Sequence, residues 1–105
     1  MELDLLLLNT NELVIVETKS TPTVDDVNLF LDDLVDFKRF FSEYKNYRVY
    51  GAIAGLDVPT EVGRYAYRKG LFVVAVTGHN LAKIKNDQKF KPSILDKSQS
   101  YNHQR

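Results

Sequence analysis

LDLLLLNTNELVIVETKS, residues 3–20, decides how this chain is read. Two apolar runs, Leu3 to Leu8 and Glu12 to Lys19, flank Asn9, Thr10 and Asn11, residue types whose side chains favour turns. The stretch therefore reads as a β-hairpin. Both runs are apolar on both faces, so the hairpin is expected to sit inside a sheet covered on both sides. Charge interrupts it at Asp4 in the first strand and at Glu17 and Lys19 in the second.

Alternate residues of a strand share a face, which groups Leu13, Ile15, Glu17 and Lys19 on one strand and Asp4, Leu6 and Leu8 on the other. A two-residue turn at Thr10 and Asn11 sets Asn9 opposite Glu12, Leu8 opposite Leu13, Leu6 opposite Ile15 and Asp4 opposite Glu17. A four-residue loop keeps that register, whereas a three-residue loop sets Asp4 opposite Val16. In the first register two carboxylates repel by roughly 3 kcal/mol at an effective dielectric near 20, and desolvation adds to the cost. Relief comes from protonating one carboxylate, from opening the site to solvent, or from a cation between them. Two carboxylates with a carbonyl and water suit Mg²⁺ or Mn²⁺, and an adjacent Lys19 can orient a water for metal-assisted phosphodiester hydrolysis. The plainer alternative is a solvated Asp4 and an exposed Glu17–Lys19 ion pair worth little.

Beyond the hairpin the apolar period changes. Val24, Val27, Phe30, Leu31, Leu34, Val35, Phe37, Phe40, Phe41 and Tyr44 recur at helical spacing, and Thr23 with Asp26 forms a capping box behind Pro22. The phenylalanines read as packing on the sheet. Val49 to Leu56 is a third strand whose Gly51, Ala52 and Ala54 admit a close-packed helix. Pro59 to Lys69 is a second helix, opened by Asp57 or Pro59 and closed by Gly70. Leu71 to Val76 is a fourth strand, Thr77 to Asn80 a turn, and Leu81 to Lys85 a short edge strand. The order is β-hairpin, helix, strand, helix, strand and edge strand. It predicts an α/β fold with a mixed sheet and helices on both faces. One domain over residues 1–96 is expected, followed by a polar, mobile tail at 97–105.

Asp4 and the Glu17-Thr18-Lys19 tripeptide closing an apolar strand resemble the D…(D/E)xK signature of the PD-(D/E)xK, or restriction-endonuclease-like, nuclease superfamily. The order of elements from Leu3 to Val76 matches most of that family's core. The stretches VIVETKSTPTVDDVNLFLDDLVDFKRFF, VYGAIAG and AYRKGLFVV are similar to short prokaryotic proteins placed in the same superfamily. The resemblance implies that Asp4 and Glu17 bind the metal, that Lys19 positions the nucleophilic water, and that Thr18 points into the core on the other face. Leu3 stands where the signature has proline. The family's first helix would precede Asp4, and Met1 lies three residues before it, so that helix is expected to be missing. The sheet face it would cover is then expected to be hidden by a second chain, making a homodimer. Two functions follow: a metal-dependent nuclease-like domain, active or relict, that hydrolyses nucleic-acid phosphodiesters with DNA as a candidate partner, or a non-catalytic dimerisation or scaffold module retaining the nuclease fold.

Composition bounds both. Among 105 residues, Lys plus Arg and Asp plus Glu number 14 each, so no global positive field holds nucleic acid. A nucleic-acid role must rest on a metal or a local patch. Arg64, Arg68 and Lys69, interleaved with Tyr65 and Tyr67, are the candidate phosphate contacts, with an exposed amphipathic helix face as the plainer reading. Lys83, Lys85, Lys89 and Lys91 read as protection of an edge strand. His79 and His103 lack ligand partners at suitable spacing. The absence of cysteine excludes disulfides and thiolate metal sites. No apolar run reaches the roughly 18 residues of a membrane span, and Glu2 and Asp4 replace the basic start of a signal peptide. A cytoplasmic protein without a membrane role is expected.

Overall fold

The computed structural model describes residues 3–76, 82–84 and 86–94. Its strands are β1 (Leu3–Asn9), β2 (Glu12–Lys19), β3 (Arg48–Gly55), β4 (Phe72–Val76) and β5 (Ala82–Ile84); its helices are α1 (Val24–Phe40) and α2 (Thr60–Arg68). The strands form one sheet in the order β1-β2-β3-β4-β5. β2, β3 and β4 are mutually parallel, while β1 and β5 run antiparallel at the two edges. The mixed α/β sheet and the order of elements agree with the sequence. The turn at 77–80, the tail at 97–105 and both histidines lie outside the described residues.

α1 begins where the sequence places it. Thr23 Oγ1 accepts from the Asp26 amide at 3.1 Å, and Asp26 Oδ2 accepts from the Thr23 amide at 2.9 Å, a reciprocal cap. The helix ends at Phe40, short of the expected Tyr44, and a 3₁₀ turn follows at Ser42–Tyr44. Lys38 Nζ secures that turn by donating to the carbonyls of Tyr44, Lys45 and Tyr47 at 3.0 to 3.1 Å. α2 closes at Gly70, whose φ of 84° lies in the left-handed region that favours glycine.

Both helices pack on the same side of the sheet, contrary to the expectation of one on each. The cause is topological. β2, β3 and β4 advance in one direction, and two right-handed crossovers in that direction return over the same face. That face carries Leu13, Ile15, Val49, Ile53 and Val73, all buried against Val27, Phe30, Leu34, Val62 and Ala66. Gly51 permits the approach of α1: a Cβ there would meet Leu34 Cδ1 at 2.6 Å and Leu71 Cδ2 at 2.7 Å. The opposite face presents Val14, Val16, Tyr50, Phe72, Val74 and Val76, all half-buried. Among the described residues no helix lies on it. Phe90 reaches one end, with its ring centroid 5.0 Å from that of Phe72. The hairpin is thus neither central nor covered on both sides: β1 is an edge strand, with Leu3, Leu5 and Leu8 each more than a third exposed.

Candidate functional site

The C-terminal end of β2 and the N-terminal half of α1 build the site. β2 delivers Glu17 and Lys19 to the helix face, two residues apart. Ser20 then turns the chain, and its carbonyl accepts from the amides of Leu56 and Asp57 at 3.1 and 3.0 Å, tying the ends of β2 and β3 together. Pro22 is buried at this junction, and Thr23 starts α1 immediately above.

Glu17 is 0% exposed, the one buried charged residue among those described. Its cross-strand neighbours are Leu3 on β1 and Ile53 on β3. Neither carboxylate oxygen has a hydrogen-bond partner. Burial raises its pKa above the ordinary glutamate value; Lys19 opposes that shift, and the negative charges of Asp33 and Asp26 reinforce it. Lys19 itself reaches Asp26 Oδ1 at 3.8 Å with its side chain about a third exposed, a loose ion pair. Asp26 is held below the usual carboxylate range, first by the Thr23 amide and also by Lys19. Asp33 is driven upward by burial and by its neighbours Asp36 and Asp32.

Asp4 is elsewhere. The hairpin turns at Thr10 and Asn11 as expected, with Asn9 opposite Glu12, but a bulge between Leu7 and Asn9 moves the register by one residue. Leu7 pairs with Leu13, Leu5 with Ile15, Asp4 with Val16 and Leu3 with Glu17. A single slip reverses every side chain. Asp4 therefore stands on the helix-free face, and Leu3 occupies the place opposite Glu17. Thr18 does point away from Glu17, but it is exposed rather than filling a core, because its face has no helix above it.

A divalent magnesium-like cation needs several oxygen ligands in near-octahedral order. The orphaned carboxylate of Glu17 is one suitable donor. Asp4 is not aligned with it, and among the described residues no group of three acidic or histidine side chains could hold a metal ion. In this register the donor set does not fit the cation.

The residues absent from the sequence reading are Asp26, as the partner of Lys19, and Asp33, as a charge acting on Glu17. Asp26, Phe30, Asp33 and Phe37 follow one another at steps of four, three and four, one stripe of the helix. The spacing that marks Phe30 and Phe37 as core marks the two aspartates as core-facing too. Beside this stripe a groove of about 280 Å³ runs between β1 and the end of α1, lined by Leu3, Asp33, Asp36, Phe37, Phe40 and Phe41.

Arg64 and Arg68 line a groove of about 490 Å³ with Pro59, Gly63, Tyr67 and Asp87. Arg68 and Lys69, the residue that caps α2, both lie over the Tyr65 ring, at 5.9 and 5.4 Å from its centroid. Compared with known proteins, the chain matches no family model, no curated protein and no solved structure.

Proposed function

We propose that this chain is a nuclease-like domain of the PD-(D/E)xK kind, active or relict, whose chemistry is hydrolysis of nucleic-acid phosphodiesters and whose described register keeps Glu17 as the single donor for Mg²⁺ or Mn²⁺. The observation that carries the reading is the Glu17–Lys19 pair. A carboxylate with no exposed surface and two unpartnered oxygens sits one strand step from an amine at the end of a parallel strand. Buried carboxylates are ordinarily hydrogen-bonded or paired, and perturbed ones concentrate at functional sites. In this reading Lys19 holds the water, and Arg64 and Arg68 offer phosphates two guanidiniums along one groove.

Calorimetric titration with Mn²⁺ tests the metal. The wild type is expected to release or absorb heat and Glu17→Ala to show none. A wild type without heat ends the catalytic reading. Nicking of supercoiled plasmid in Mn²⁺, with Lys19→Ala as the inactive control, tests the chemistry.

A second reading rests on a separate observation, the apolar face left without a helix. Val14, Val16, Tyr50, Phe72, Val74 and Val76 are half-buried on one face of the sheet, and an apolar face left open is commonly hidden by association. It supports a homodimer, in which the domain serves as a dimerisation or scaffold module with the nuclease fold retained. Among the described residues no helix is long and apolar enough to cross a membrane.

A further inference from the structure

The zero net charge of this chain is the cancellation of two opposite parts. Residues 1–44 hold ten of the fourteen acidic residues and three of the basic ones, while residues 45–105 hold four and eleven. The first part therefore carries −7 and the second +7. Because the strands lie in the sheet in the order in which they occur in the chain, this division along the sequence becomes a division in space. β1, β2 and α1 form an acidic side, and α2, β4 and β5 a basic one.

Each outer strand marks one pole. At the β1 edge, Asp33 and Asp36 line the groove with Leu3, Phe40 and Phe41. Asp33 Oδ2 is buried there without a hydrogen-bond partner, while Phe40 is 71% and Phe41 47% exposed. At the opposite edge β5 carries Lys83, and Arg64 and Arg68 stand exposed along the groove they share with Asn86 and Asp87, just beyond β5. Lys89 and Lys91 follow, both exposed. Neighbouring strands lie about 4.8 Å apart, which separates the two edges by roughly 19 Å, against a Debye length of about 8 Å at physiological salt. A partner that touches one edge meets the charge of that edge and little of the other.

We infer that copies of this chain associate head to tail, the acidic β1 edge of one against the basic β5 edge of the next. β1 and β5 run in the same direction, each antiparallel to the three parallel strands between them. A second copy laid alongside by translation brings its β1 against β5 as a parallel pair, with all helices on one side of a continuous sheet. Like charges oppose β1 on β1 and β5 on β5, so each edge is shielded from its own kind and open to the other. A polyanion would occupy the basic edge alone; a second copy also meets the surplus acid and the exposed Leu3, Leu5, Phe40 and Phe41 of the other edge. The contact is heterologous and no two-fold closes it, so copies add in series. It is separate from the nuclease reading and from the open face of the sheet.

Sedimentation velocity of the full chain in roughly 0.05 M and 0.5 M salt tests the inference, since the Debye length falls from about 14 to about 4 Å over that range. The mass at high salt is the reference and includes any pairing through the open face, which charge screening leaves intact. At low salt the weight-average mass is expected to rise at least twofold and to keep rising with protein concentration. Asp4→Lys with Asp36→Lys, two exposed positions on the acidic side, abolishes the rise, as does Arg64→Glu with Arg68→Glu on the basic side. Placing all four reversals on one chain exchanges the poles and restores it. Asp57→Lys with Glu61→Lys makes the same change in net charge as the first pair, at exposed positions outside β1 and α1, and should keep the rise. Circular dichroism checks that each variant is folded. A mass independent of salt overturns the inference, and so does loss of the rise in the Asp57→Lys, Glu61→Lys variant, which assigns it to net charge alone. A rise that stops at twice the reference mass shows a closed pair and overturns addition in series. A constant mass together with DNA binding that Arg64→Glu and Arg68→Glu abolish overturns it too, and gives the basic edge to nucleic acid.

Discussion

The two faces of the sheet are made by the same strands, yet they differ in almost every physical respect. On the helix side Ile15, Val49 and Ile53 are fully buried beneath Phe30 and Val27. One residue along each strand, Val14, Val16 and Tyr50 are half-open. Both sides are rich in β-branched residues, and the aromatic residues of the sheet, Tyr50 and Phe72, stand on the open one. What separates them is the direction in which successive strands are added, since two right-handed crossovers in one sense spend both helices on one side. Apolarity states that a face needs covering. Topology determines what covers it.

Truncation on the buried side should cost most. Phe30→Ala opens a cavity beneath α1 where Phe30 has no exposed surface, and should cost about 3–5 kcal/mol, read as a shift of the urea midpoint. Gly51→Ala follows. Its new methyl would lie within 2.7 Å of both Leu34 and Leu71, and about 1–3 kcal/mol of overpacking is expected by the same measurement. An equivalent change on the other side, Val74→Lys, should cost the folded monomer less than about 1 kcal/mol but shift sedimentation from dimer to monomer. An unchanged sedimentation coefficient would exclude that face as the contact between copies.

Glu17 differs from these three in carrying a pH signature. Because burial raises its pKa, the folded state holds the proton more tightly than the unfolded state. That contribution to stability is complete below the unfolded value of 4.5 and is lost as pH rises through the raised one. Glu17→Gln should therefore raise Tm at neutral pH, by roughly 5 °C for about 1 kcal/mol, and change it little near pH 4. Asp33→Asn should act in the same direction, since burial and its aspartate neighbours raise Asp33 as well.

Much of the fold was legible because local signals were unambiguous. Thr23 and Asp26 mark the start of α1, Gly70 the end of α2, and Asn9 through Asn11 the hairpin turn, each through a short-range hydrogen bond or a backbone angle. The register of β1 was not, because four consecutive leucines erase the contrast that normally tells one face from the other. The side on which the helices lie was not, because it depends on strand order rather than on any residue. Within the site, Glu17 and Lys19 were legible as charges at alternate positions of an apolar strand. Asp33 was open to the same reasoning, since it falls on the stripe of Phe30 and Phe37, but an aspartate among four others on one helix draws no notice until its burial is seen.

The three carbonyls gathered by Lys38 bear on the order in which the chain assembles. They belong to residues 44, 45 and 47, six to nine positions away, so the closure costs little chain entropy. The parallel ladder it precedes joins Glu12 to Arg48, a far longer loop. A helix end that has already folded back on itself delivers β3 to that ladder with its direction set. The search for the parallel pairing then starts from a chain whose connection between α1 and β3 is already closed.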